Sequence, residues 1–95
     1  MADLIEEGEL ESMLKKVPEW ELEDKRLFRV FEFDEFMDGS IDFVNGVADI
    51  CEEINHHADI QVNWCTVTLS LTTHDQGGIT ENDFDLAQKI DTLVD

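Results

Sequence analysis

The sequence predicts an α+β fold: a four-stranded antiparallel sheet with helices packed on one face, in the order α-β-β-α-β-β-α, as a single domain over residues 1–95. Three observations predict it. Two stretches carry adjacent strand patterns with a polar turn between them, which reads as two hairpins. The segments before, between and after them repeat apolar residues every three or four positions, the period of an amphipathic helix. No linker, repeat or low-complexity tract separates them, and runs of adjacent strands favour antiparallel pairing over crossover connections.

Leu4, Ile5, Leu10, Met13, Leu14 and Val17 predict a helix over 4–17, with acids early, Lys15 and Lys16 late, and Pro18 as its stop. Trp20 and Leu22 alternate with Glu19, Glu21 and Glu23, and Leu27 to Phe33 is rich in aromatic and β-branched residues. With Glu23 to Arg26 as the polar turn, these form the first hairpin. Asp34 is the expected N-cap of a long helix over 35–54, whose apolar series are Phe36, Met37, Ile41, Val44, Val47, Ala48, Cys51, Ile54 and Phe43, Val47, Ile50, Ile54. So broad a face can pack on its own sheet and on another subunit. Ile60, Val62 and Trp64, then Val67, Leu69 and Leu71, give the second hairpin, with its turn expected at 63–66. Gly77-Gly78 breaks the chain, and Thr80 with the acids after it opens a last helix through Phe84, Leu86, Ala87, Ile90 and Leu93.

The apolar fraction of 42% is that of a folded domain, and a chain of 95 residues supports one core. Six Lys and Arg against 24 Asp and Glu give a net charge of −18, which repels phosphate backbones and anionic lipid and disfavours nucleic-acid and membrane partners. No segment approaches the roughly 20 apolar residues that span a bilayer, and the acidic N-terminus is neither signal nor transit peptide. A cytoplasmic protein with Cys51 and Cys65 as free thiols is expected.

All three histidines can meet. His56 and His57, in INHHA, fall where the long helix should end, and His74 falls just past the last strand. In an antiparallel hairpin the start of one strand and the end of the next lie at the same edge. Three readings stay open: helix-capping cations, a metal site, and proton transfer. Adjacent histidines point apart on most backbones and no HxH or HExxH pair is present, so the metal reading is the weakest. Glu52 is either an exposed acid or a partner for an imidazole one turn later, and Asp83 either completes the cap begun by Thr80 or serves the site. Trp64 is either core or one wall of an aromatic pocket.

Glu52-x-x-x-His56-His57, Trp64, Thr73-His74 and Gly78-Ile79-Thr80-x-x-Asp83 together resemble the signature of the pterin-4a-carbinolamine dehydratases. The resemblance extends back through Phe43 to Ala48, Phe36, Arg29-x-Phe31-x-Phe33 and Trp20, and forward to Asp91, covering roughly residues 19 to 91. It implies the fold drafted above, a homodimer or homotetramer, and dehydration of 4a-hydroxytetrahydropterin to quinonoid dihydropterin and water without a metal or organic cofactor. It implies proton transfer by His56 and His74, with His57 chiefly binding substrate. Glu52 and Asp83 would orient the histidines, Trp64 would supply the family's aromatic residue, and the backbone from Thr72 through Thr73 to Asp75 would bind the pterin edge. Two positions depart from the family: Ala58 stands where proline is common, and Asn82 where arginine often precedes the aspartate. Members of this fold also act as a transcription-factor dimerisation cofactor or in Rubisco assembly, so a protein partner held through helix faces is the alternative function.

Overall fold

Leu27 and Phe31 of one central strand face the same side as Val67, Leu69 and Leu71 of the other, and this inward row is the floor of the core. The computed structural model describes residues 3–94. Its elements are α1 (Glu7–Leu14), β1 (Glu21–Glu23), β2 (Arg26–Glu32), a π-helical segment (Phe36–Ile41) running into α2 (Asp42–Ile54), β3 (Asp59–Asn63), β4 (Thr66–Leu71) and α3 (Glu81–Asp91). The sheet is antiparallel in the order β1-β2-β4-β3. The predicted fold class and element order are those observed.

β4 shows why the pattern was readable. Val67, Leu69 and Leu71 are fully buried under the helices, while Thr66, Thr68 and Ser70 lie half-buried on the other face. Phe43, Val47 and Cys51 of α2 and Phe84, Leu86, Ala87 and Ile90 of α3 close over that floor. The inward face of α2 draws on both apolar series, Phe43 from the second, Cys51 from the first and Val47 from both; Met37, from the first, is 64% exposed.

Some helix boundaries differ from expectation, the first of them through a contact remote in sequence. The first helix starts at Glu7 because Leu4 and Ile5 are extended, with Leu4 bridged to Thr80 and the Ile5 N–H donating to the Ile79 carbonyl at 3.0 Å. It ends at Leu14, and tight turns lead on to Val17. Asp34 does not cap α2. The helix is entered through the π turn, where Gly39 lies so close to Phe33 that a Cβ there would meet Phe33 Cβ at 2.9 Å. The first hairpin turns through Asp24 and Lys25 in left-handed conformation (φ 50° and 63°), which matches the twist of the strands it joins. The second turns through Trp64 and Cys65, within the expected 63–66, which puts Trp64 at the hairpin tip.

Both thiols are free. Among the described residues no helix is long and apolar enough to cross a membrane.

Candidate active site

Asn55 decides where the histidines point. It ends α2 in left-handed conformation (φ 55°, ψ 47°), the usual way to stop a helix, and turns the chain before His56 begins. The His56 N–H still reaches back to the Cys51 carbonyl at 3.0 Å, but its ring is no longer one helical turn above Glu52. β3 then starts at Asp59, which pairs with Ser70 near the end of β4, so the segment 55–58 and the segment 72–75 come to the same sheet edge.

A cleft of about 200 Å³ opens there, lined by Asn55, His56, His57, Thr72, Thr73, His74 and Asp75. The convergence of His56, His57 and His74 expected from the hairpin is found. His57 and His74 are exposed, whereas the His56 side chain keeps only 13% of its surface. Its Nε2 lies 2.7 Å from Asp83 Oδ1, and Asp83 is fully buried at the start of α3. The two readings of Asp83 turn out to be compatible: Oδ2 accepts the Thr80 N–H at 2.9 Å as half of a capping box, and Oδ1 meets the imidazole.

The remaining candidates divide. Asp75 reaches the cleft from a short 3-10 turn, His74–Gln76, closed by Gly77 at φ 72°. Thr73 lines the cleft too, but its polar groups are already engaged: the hydroxyl donates to Asp83 Oδ2 at 2.8 Å, the N–H donates to Gly78 O, and the carbonyl accepts from Gln76, Gly77 and Gly78. Glu52 is not brought to the site. It is exposed and, among the described residues, makes no side-chain hydrogen bond; the carboxylate partner of His56 comes from α3 instead. Trp64 also lies elsewhere. It is 76% exposed and stacked on Phe36 with ring centroids 5.4 Å apart. Five steps of about 3.3 Å, from Asp59 along β3 to Trp64, separate that tip from the strand's histidine end.

Sequence reasoning did not single out Asn55, or the Thr80 hydroxyl, which bonds Thr73 Oγ1 at 2.8 Å. An Asn directly after a helical pattern was the available signal for the first. At Ala58, where proline is common in the family, a backbone N–H faces the Cys51 sulfur. Burial pushes the Cys51 thiol pKa up, the Ala58 N–H opposes that shift, and the Glu52 charge adds to it. Among the described residues no group of three or more His, Cys, Asp and Glu side chains is arranged to hold a metal ion.

Comparison with known proteins gives the family. The profile of the family described as pterin 4 alpha carbinolamine dehydratase matches residues 3–93. A provisionally named pterin-4-alpha-carbinolamine dehydratase of Haloarcula marismortui is 43% identical over the whole of both chains. Another, from Picosynechococcus, is 42% identical over 98% of this chain and all of its own. A crystal structure from Brucella melitensis, described as a transcriptional coactivator/pterin dehydratase, superposes with a TM-score of 0.91 at 25% identity, over 98% of this chain and 100% of that one. A pterin dehydratase-like protein identified as a RuBisCO assembly factor in the alpha-carboxysome shares the fold, with a TM-score of 0.63 at 23% identity over 78% of this chain and 84% of that one. The chain belongs to the pterin-4a-carbinolamine dehydratase family.

Proposed function

We propose that the protein is a 4a-hydroxytetrahydropterin dehydratase, a hydro-lyase that works by histidine acid/base chemistry. The observation that carries this reading is the His56–Asp83 pair beside His57 and His74 in one cleft. A binding protein has no need of an imidazole backed by a buried carboxylate. In the reaction the C4a–O bond breaks as a proton reaches the departing oxygen, and a proton leaves the neighbouring ring nitrogen. The electrons of that N–H bond form the C=N bond of the quinonoid product, and water departs. One group must give a proton and one must take a proton around a single carbon, and imidazole does either near neutral pH.

His56 and His74 carry the two transfers. His57, exposed at the mouth, holds the substrate, and Asp75 and the backbone on either side of Thr73 meet the pterin edge. Asn82 in place of the family's frequent arginine removes a cation from the same helix start, so substrate is held by hydrogen bonds more than by charge. No metal or organic cofactor enters the scheme. The working protein is a cytoplasmic homodimer or homotetramer, a state that light scattering after size exclusion measures directly.

The decisive experiment is stopped-flow decay of 4a-hydroxytetrahydropterin with wild type, His56→Ala and His74→Ala. Each variant loses turnover by about 10², the usual share of one general acid or base. Decay with wild type no faster than in buffer would sink the enzyme reading and leave the protein-interaction role, which the description of the Brucella relative as a coactivator supports. Chelators leave the rate unchanged; loss with EDTA that zinc restores would overturn the metal-free scheme.

A further inference from the structure

We propose that Thr73 is a positioning residue for His56, acting through Asp83, and that it works with Thr80 to hold the carboxylate against the His56 ring in its Nε2–H tautomer, so that protons enter and leave the ring at Nδ1. The inference rests on His56 being an acid/base group of the proposed reaction, and it follows from counting protons. Thr73 has one hydroxyl proton and donates it to Asp83 Oδ2 at 2.8 Å. In its 2.8 Å contact with Thr80 Oγ1, Thr73 is therefore the acceptor and Thr80 the donor. The Thr80 N–H supplies a second donor to Oδ2 at 2.9 Å. Two donors thus hold Oδ2 as an acceptor, and Oδ1 faces the imidazole as an acceptor as well.

The consequence for His56 is steric and electrostatic. At 2.7 Å a bare Nε2 lone pair opposite Oδ1 would set acceptor against acceptor, so the ring proton belongs on Nε2. Nδ1 has no hydrogen-bond partner among the described residues and is the nitrogen left for the substrate. Thr80 and Asp83 are both at 0% exposure and Thr73 is half-buried in the cleft wall, so Thr73 is the link between the cleft and the buried carboxylate. Thr73 itself has no group to spare for a pterin, since its hydroxyl, N–H and carbonyl are all taken within the chain. Its influence on the reaction runs through the carboxylate.

The test pairs a spectrum with kinetics. Long-range proton–nitrogen correlation spectra of histidine-labelled protein, taken without substrate, should show His56 as Nε2–H in wild type and in Thr73→Ser. Thr73→Val leaves Oδ1 an acceptor and the Nε2–H form in place, but frees the carboxylate to turn away from the ring, and should lower kcat about tenfold, the worth of one charge-assisted hydrogen bond, with KM unchanged. Thr73→Ser should restore most of the rate. An Nδ1–H ring in wild type overturns the proposal. So does a Thr73→Val protein that keeps the wild-type kcat, or one whose loss is confined to KM. If Thr73→Val does not fold, the wild-type spectrum still decides the tautomer. A wild type that shows Nε2–H but dehydrates nothing removes the enzyme reading while leaving the hydrogen-bond relay in place.

Discussion

Asp83 Oδ1 lies 2.7 Å from His56 Nε2 while the same carboxylate, through Oδ2, caps the helix it starts. One buried group thus joins the stability of α3 to the chemistry of the cleft. Replacing it separates the two roles. In Asp83→Asn one face of the side chain must present an amide NH₂, either to Nε2, which forces the wrong tautomer, or to the two donors at Oδ2. Turnover should fall by at least about 10² with the fold retained. Asp83→Ala should also cost about 2–4 kcal/mol in urea denaturation, from the lost cap and the donors left unpaired. An Asn variant as active as wild type would show that His56 does not depend on its partner.

Asn55 offers a test of how the helix end aims the site. Its φ of 55° is open to glycine and tolerated by Asn but strained for a β-branched side chain. Asn55→Gly should change stability by only a few tenths of a kcal/mol, whereas Asn55→Val should cost about 1–2 kcal/mol. If the left-handed turn is what carries His56 away from Glu52 and towards Asp83, the Val variant should lose activity as well. Equal unfolding midpoints for the two variants would remove the backbone argument.

How much of this was legible in the sequence follows from the range of each contact. β4 could be read because its alternation of Val67, Leu69 and Leu71 with Thr and Ser directly reports one covered face. The cleft could be placed because strand pairing alone brings the residues before Asp59 beside those after Leu71. Helical spacing leaves Glu52 open between an exposed acid and a partner for His56, and only the family resemblance places it at the site; Asn55 ends the helix before His56, and Glu52 lies exposed. The turn expected at 63–66 falls at Trp64 and Cys65, which puts Trp64 at the hairpin tip and away from the cleft. The start of α1 was lost because Leu4 and Ile5 are held by Ile79 and Thr80, partners that no local pattern reveals. At the start of α1 a distant backbone contact overrides the periodic signal, and at the end of α2 a local left-handed turn does.

Asp91 tests the packing at the far end of α3. Its Oδ1 accepts from Trp20 Nε1 at 2.8 Å and from Arg29 at 2.6 Å, and Arg29 also sits 4.4 Å above the Phe31 ring. The Arg29 and Asp91 side chains retain only 15% and 14% exposure, so removing one partner strands a largely desolvated charge. Asp91→Ala should cost about 3–5 kcal/mol in urea denaturation, and Arg29→Met combined with Asp91→Leu should cost less than that single change. If the double variant is the less stable of the two, packing of the Arg29 stem, not its charge, is what the site supplies.

The charge of −18 makes a prediction that reaches beyond the site. Acids crowd α1 and β1, from Glu6 to Glu11 and from Glu19 to Asp24, and few cations lie among them. Their mutual repulsion opposes the compact state, and added salt screens it as the Debye length falls from about 10 Å at 0.1 M to about 3 Å at 1 M. The thermal midpoint should therefore rise with added KCl, most steeply below about 0.5 M, where screening changes fastest. General salting-out of apolar groups would give a steadier rise that is stronger in sulfate, so comparing the two salts separates the causes. A midpoint that stays flat or falls with KCl would mean that the acidic surface does not oppose folding, and that its self-repulsion is already met by the way the carboxylates are spread.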